Sequence, residues 1–390
     1  MIPAFAVSPC PRIVFGADRV DKLGEDVAAL AGPAARVLLV ADPGIPDIAE
    51  RVAATLSAAG HRVEVFADLR SDPLAAQVDA AAERARSGAA ACVVGLGGGS
   101  ALDVAKLAAA IAPADRPAGH YRLAQNPLPK RPLAKVCVPT TAGTGSETTR
   151  VAVFTDAEGA KLWAWGDGLR ADLALLDPRL TVGLPAPLTA ATGVDALVHA
   201  IEACTIRRAN PLNDAICLQA IRLIARSLAR AVAVPDDLDA RGAMQIAAAA
   251  AGIGIDNSGT GVAHALGHAL GTVGRIHHGR AVGLSLRVAL AWNAEADPAR
   301  HAAVAQALGV PAEGRPVAAV AADLAPAYDR FLRAVGLPIS LAGDGLSSAD
   351  AERLAHVTMA PENKPMRDAN IREVGAADAA RLAVAVLTAA

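Results

Sequence analysis

The stretch Ala91–Ser100, ACVVGLGGGS, running on into Ala101–Ala112, ALDVAKLAAAIA, decides how this chain is read. A short apolar run of strand character enters a cluster of glycines and leaves as an Ala/Leu-rich segment of helical spacing. A chain that turns sharply from strand to helix needs residues tolerant of positive φ, and bare glycine amides let an anionic group approach the positive end of the helix dipole. Gly95, Gly97, Gly98, Gly99 and Ser100, with Asp103 in the first turn of the helix, therefore form a candidate phosphate cradle. The spacing is not G-x-G-x-x-G, and a glycine cluster alone is as often a tight turn.

Working outward, the same alternation recurs. RVLLVAD (Arg36–Asp42) reads as a buried strand, Ile48–Ala59 as a helix, HRVEVFADL (His61–Leu69) as a strand and Pro73–Ser87 as a helix. AKVCVPTTAGTGSE (Ala134–Glu147) repeats the strand-to-turn step and adds the hydroxyls of Thr140, Thr141 and Thr144. Strands alternating with helices predict a doubly wound parallel sheet, in which ligands bind at the C-terminal strand edges. Asp42 ends the first of these strands, where a carboxylate accepts both ribose hydroxyls of an adenosine and repels a 2′-phosphate, favouring NAD over NADP. The alternative is a turn aspartate before Pro43-Gly44.

From about Pro187 the strand signals vanish and Ala/Leu-rich helical stretches continue to the C-terminus, broken at Pro211, Pro235, Pro298, Pro311 and Pro338. The expected organisation is an α/β domain over residues 1–182 and an all-helical domain over 183–390, divided in the Pro/Gly-rich LLDPRLTVGLPAPLT.

Composition bounds the function. With Lys+Arg 37 against Asp+Glu 39 and aromatic residues at 3%, the chain has neither the basic surface nor the stacking platforms of a nucleic-acid binder. Hydrophobic residues reach 53%, much of it alanine, and no run approaches the ~18 apolar residues of a membrane span. The start, MIPAFAVSPCPRIVFG, lacks a basic segment before an apolar run, so a cytoplasmic location is expected. Five cysteines without C-x-x-C spacing read as small apolar residues.

Five of nine histidines (His199, His264, His268, His277, His278) fall between Ala191 and Gly279. Asp195 and His199 are i and i+4, one turn apart on a helical face, and His264 and His268 repeat that spacing. Imidazoles with one carboxylate and no thiolate suit a borderline divalent ion, Fe²⁺ or Zn²⁺, held with an open position. Any one of these histidines is by itself more readily a core residue, but several apolar-flanked imidazoles beside a carboxylate are costly to bury without a joint purpose.

GLGGGSALDVAK, PTTAGTGSETT, TAATGVDALVHAIEA and GVAHALGHALGTVGRIHHG resemble, in that order, the signature segments of the iron-containing (group III) alcohol dehydrogenases. The likeness runs from about Pro11 to about Leu387. It implies a Rossmann-like dinucleotide domain, a helical metal domain and a cleft between them. It further implies Asp195, His199, His264 and His278 as metal ligands, with iron the expected metal and zinc the second choice, and His268 as a non-ligand beside nicotinamide and substrate that relays a proton. For NAD it implies Asp42 at the adenosine ribose, Gly97–Ser100 with Asp103 at the pyrophosphate, Thr140, Thr141 and Thr144 toward the phosphates and nicotinamide, and Lys161 at the nicotinamide ribose.

The chain departs from that family's habit at Asp72, where Asn usually precedes Pro, and at His277, where Pro usually precedes the last ligand. The maleylacetate reductase branch usually lacks the pattern kept here by Asp103, Ala105 and Lys106.

The expected activity is reversible hydride transfer between NAD and a small alcohol or aldehyde, by a homo-oligomer taken as a dimer, without nucleic-acid or membrane partners. Arg150 adds a finer expectation: a guanidinium beside the substrate favours a hydroxy acid or semialdehyde, unless Val151 faces inward and Arg150 is a surface residue. The competing class is an NAD- and metal-dependent lyase of dehydroquinate synthase-like architecture. Its phosphate-bearing substrate calls for several Lys/Arg near the metal, where Arg207, Arg208 and Arg275 are the nearest in sequence.

Overall fold

The computed structural model describes residues 4–389. They divide into two compact units: Pro9–Gly183, and Leu184 onward together with the segment ending at Ser8. The Ser8 N–H donates to Asn257 Oδ1 at 2.7 Å, which ties that segment to the helical unit.

The first unit is built on a parallel sheet of β1 (Arg12–Phe15), β2 (Arg36–Ala41), β3 (Arg62–Phe66), β4 (Cys92–Gly97), β5 (Ala134–Pro139) and β8 (Leu173–Leu176) in the order β1-β8-β5-β4-β2-β3. Strands β6 (Val151–Thr155) and β7 (Lys161–Trp165) pair separately as an antiparallel hairpin. Helices α1 (Leu23–Ala31), α2 (Pro46–Ala58), α3 (Ala75–Ser87) and α4 (Gly99–Ile111) complete the unit.

The period-two alternation of strands sorts the core into two faces. Val37, Leu39 and Ala41 of β2 pack with α1 and α2, while Leu38 and Val40 pack with α3, α4 and the hairpin. Because both faces are covered, β2 and β4 read as near-continuous apolar runs. The chain leaves β2 for β3 on one side and returns to β4 on the other, so the topological switch lies between the C-terminal ends of β2 and β4.

The second unit contains only helices among its described elements: α5 (Ala186–Thr205), α6 (Pro211–Ala233), α7 (Leu238–Ser258), α8 (Val262–Gly274), α9 (His278–Ala294) and six more from Pro298–Ala307 to Ala376–Thr388. Pro211 and Pro298 open helices, at the first position where the missing N–H costs nothing, with Asn210 and Asp297 capping the turns ahead of them. No described helix is long and apolar enough to cross a membrane.

The turn after β5 is held from beneath by α4. The wholly buried Lys106 donates from Nζ to Ser146 O at 2.8 Å, to Thr149 Oγ1 at 3.2 Å and to Val151 O, and pairs with Asp103. Glu147 lies buried in the same turn, where desolvation raises its carboxyl to about 7, against the lowering effects of its own backbone N–H and of Lys106.

Its folded value lies above the unfolded one, so Glu147's contribution to stability is full below the unfolded value and is lost as pH rises through about 7. Glu147→Gln removes that dependence. Thermal unfolding should show the variant gaining on wild type by roughly 2–3 kcal/mol between about pH 4 and about pH 8.

Candidate functional site

Helix α5 carries Asp195 and His199 on one face, α8 carries His264, and α9 begins at His278. The Nε2 atoms of His199, His264 and His278 lie 3.7, 3.9 and 3.6 Å from Asp195 Oδ1. One donor atom from each of the four residues falls within 4.8 Å of the others. These separations are too long for hydrogen bonds. Asp195 Oδ1 and His264 Nε2 are buried and have no hydrogen-bond partner among the described residues. Four ligand-type atoms converging beyond hydrogen-bond distance fit a divalent cation held by three imidazoles and a carboxylate.

Glu202 orients this set. Its Oε2 accepts the His264 Nδ1–H at 2.5 Å while Oε1 accepts the Ala263 N–H at 2.8 Å in the first turn of α8. One carboxylate therefore satisfies a helix N-terminus and leaves the His264 Nε2 lone pair turned toward Asp195. No Lys or Arg pairs with Asp195 or Glu202 among the described residues, so the compensation falls to the imidazoles, the α8 N-terminus and any cation the set would hold. Glu202 stands i+7 from Asp195 and i+3 from His199, so it completes the i, i+4, i+7 stripe of α5. That spacing was the signal that could have disclosed it.

Close helix approach brings in the fourth residue of the set. A Cβ on Gly279 would lie 2.1 Å from the Ala191 carbonyl oxygen, so only glycine lets α9 begin against α5 with His278 reaching Asp195.

His268 is outside the four. Its ring centroid is 5.5 Å from that of His278 and 6.4 Å from that of His264. Its Nδ1 meets Asn363 Oδ1 at 3.1 Å, and Asn363 Nδ2 donates to Val357 O at 2.9 Å. The carbonyl of Val357 fixes which way the buried amide faces, so Asn363 presents its Oδ1 to His268 Nδ1 as an acceptor. His277 is exposed, immediately before α9.

In the sheet unit, the residues singled out for the dinucleotide gather at the switch point. The Asp42 N–H donates to Leu96 O at 2.9 Å, and the Thr140 N–H to Gly97 O at 2.9 Å, which clips the three strand ends together. Gly97 has φ +148°, and a Cβ there would meet Asp42 Cβ and Ala101 Cβ at 2.8 Å each. A Cβ on Gly99 would lie 2.7 Å from Thr144 Cγ2, and one on Gly98 3.4 Å from Thr141 Cγ2. The two turns thus pack directly on one another with backbone amides between them, a cradle that side chains would fill.

Asp42 Oδ1 accepts the Gly44 N–H at 2.8 Å, so the residue makes the expected turn contact while remaining part exposed. Asp72, at φ +53°, which aspartate tolerates better than most residues, donates its N–H to Ser100 Oγ at 3.3 Å and pairs with Lys161 Nζ at 2.7 Å. Lys161 is joined to the glycine turn through that aspartate.

Two residues turn elsewhere. Both carboxylate oxygens of Asp103 are engaged inside the unit, by Ser146 Oγ at 2.5 Å and by the Val153 N–H at 2.9 Å. Arg150 is neither solvated nor free for a substrate: its guanidinium bonds Asp167 Oδ1 at 3.0 Å and lies 5.0 Å over the Trp165 ring. Sequence order could not decide this, because Asp167 and Trp165 meet Arg150 only once the hairpin closes.

Residues 10–178 match the family described as iron-containing alcohol dehydrogenase, and residues 189–385 match the C-terminal part of the same family. The chain is 35% identical over 376 residues to long-chain-alcohol dehydrogenase 1 of Geobacillus thermodenitrificans, covering 94% of each. It is 34% identical to the NAD-dependent methanol dehydrogenase of Bacillus methanolicus over 88% of this chain and 91% of that one. Among solved structures, sulfoacetaldehyde reductase from Bifidobacterium kashiwanohense in complex with NAD⁺ superposes with a TM-score of 0.88 at 29% identity, covering 100% of both chains.

The chain belongs to the iron-containing alcohol dehydrogenase family. It is an oxidoreductase of the NAD- and metal-dependent kind, acting between alcohol and aldehyde, and the lyase alternative is not favoured.

Glu202→Gln should weaken metal binding about 10–100-fold in competition with a chelator, because the His264 ring loses its anionic partner. Gly279→Ala should lower bound metal by forcing α9 off α5. His268→Ala should leave metal content near that of wild type. Equal metal loss in all three variants would refute the ligand set.

Proposed function

We propose that the enzyme reversibly oxidises a small alcohol to its aldehyde with NAD, using Asp195, His199, His264 and His278 as metal ligands and His268 as the proton relay. The observation that carries this reading is the convergence of three Nε2 atoms on Asp195 Oδ1 at 3.6–3.9 Å. When bound, the metal supplies Lewis acidity that lowers the pKa of an alcohol, and NAD supplies the hydride acceptor.

This chain's own residues do the rest. Glu202 holds His264 in one tautomer, and Asn363 does the same for His268. His268 then accepts the alcohol proton at Nε2, keeping its Nδ1–H on Asn363, and returns it when the aldehyde is reduced. The Gly97–Ser100 amides and the Thr140, Thr141 and Thr144 hydroxyls hold the NAD phosphates. Asp42 takes the adenosine ribose, and Lys161 turns from Asp72 to the nicotinamide ribose. Asp103, whose oxygens bind Ser146 and Val153, acts on the pyrophosphate by positioning the turns that hold it.

A domain division near residues 182 and 183 suits this split of labour between cofactor and metal. A cytoplasmic enzyme is supported by five free cysteines, four of them buried. A homodimer is supported by the exposed Ile13 and Phe15 on the edge strand β1, a row of backbone groups that natural sheets protect.

The test is NADH formation from a panel of small alcohols by the metal-loaded protein, with NADP in parallel. NAD should be preferred, and Asp42→Gly should narrow the ratio of kcat/KM values about tenfold, as loss of one charged hydrogen bond implies. A wild-type preference for NADP would end the role given to Asp42. Asn363→Leu should lower kcat with bound metal unchanged.

A further inference from the structure

A buried arginine is conspicuous when its N–H groups lack acceptors, because the guanidinium stays charged at physiological pH and carries five donors. Arg367, in the short helix Lys364–Ala369, is 8% exposed. Its Nε has no partner among the described residues, and the hydrogen bond its guanidinium makes runs from Nη1 to Met359 Sδ at 3.5 Å, a weak acceptor. Asp368 is turned to Lys364, and Asp368 and Glu362 influence Arg367 only through space. Burial pushes the guanidinium below its ordinary pKa, against the raising effect of those carboxylates.

The position of Arg367 says what the absent acceptor is near. Asn363, Arg367 and Asn370 are spaced i, i+4, i+7, and all three are buried. At one end of this stripe Asn363 meets His268 at 3.1 Å, and at the other Asn370 Oδ1 accepts the Val262 N–H at 3.4 Å. The stripe therefore runs antiparallel along α8. Arg367 falls between Asn363 and Asn370 in the chain, on the stretch whose two ends make those contacts with α8. One helical turn, about 5.4 Å, separates it from the asparagine that holds the proposed relay.

We infer that Arg367 binds an anionic group at the end of the substrate remote from its hydroxyl or carbonyl, a carboxylate or a sulfonate, which makes the substrate a short ω-hydroxy acid or its semialdehyde analogue. Nε and one terminal nitrogen form a planar fork that two oxygens of such an anion accept together. A spacer of a few methylenes matches one helical turn. The arginine that reads charge is thus Arg367, while Arg150 is taken up by Asp167. This inference rests on the substrate lying beside His268, as proposed above.

The test compares kcat/KM for 4-hydroxybutyrate and 1-butanol in wild type, Arg367→Gln and Arg367→Lys. In parallel, ligand-observed NMR follows butyrate binding to the metal-loaded proteins. Wild type should prefer the hydroxy acid. Arg367→Gln should lose about 10–100-fold on it while staying within about threefold on 1-butanol, and should no longer bind butyrate. Arg367→Lys keeps the charge without the fork, so it should lose several-fold on the hydroxy acid alone, and it carries the test should the glutamine variant fail to fold.

Equal losses on both substrates, or an unchanged ratio in the lysine variant, would make Arg367 a structural residue and overturn the inference. If neither compound is oxidised, the proposed function fails. Butyrate binding still decides Arg367 in that case: Arg367-dependent binding supports the inference, and its absence in wild type overturns it.

Discussion

Two buried carboxylates, Asp195 and Glu202, stand two turns apart on α5 with no lysine or arginine against them among the described residues. Buried anions are tolerable only when paired and hydrogen-bonded. Glu202 meets this by dividing its oxygens between the α8 N-terminus and the His264 ring. Asp195 has only three imidazole nitrogens around Oδ1, each beyond hydrogen-bond distance. A cation satisfies both requirements at once, and in doing so it links α5, α8 and α9. Metal affinity and the stability of these three helices are then parts of one free energy.

That constraint explains features far from any charge. Gly279 lets α9 come within backbone contact of α5, and His278, the fourth residue of the converging set, is the first residue of α9. The same logic of anchored edges recurs in the sheet unit by other means. There Gly97 and Gly99 let the glycine turn lie against Asp42 and Thr144, while Lys106 and Asp103 hold the neighbouring turn after β5 through Ser146. A buried lysine with three acceptors and a carboxylate partner is a strut beneath that turn.

Asn363 and Glu202 have the same task on different histidines. Each fixes which ring nitrogen carries the proton, one with an amide and the other with a carboxylate. The difference in charge suits the two roles. A carboxylate raises a ring's basicity toward a metal, whereas a neutral amide would orient a ring that has to give up and regain a proton, the part proposed for His268.

The sequence by itself determined the elements and the chemistry that short-range spacing can express. Apolar strands ending in glycines disclosed the parallel sheet, and the i, i+4 pairing of Asp195 with His199 disclosed a metal face, because both periods are local properties of backbone geometry. The choice of His264 and His278 from five imidazoles came from family likeness, since spacing alone left it open. What only the tertiary structure decided are contacts between residues distant in the chain. Asn363 reaches His268 across 95 positions, and Glu202 reaches His264 across 62. Asp167 engages Arg150 after a hairpin, and Arg367 is buried with no acceptor for its Nε among the described residues. Polar side chains of this kind follow no period. Their partners are set by which helices and strands pack together, and packing is a property of the whole chain rather than of any window within it.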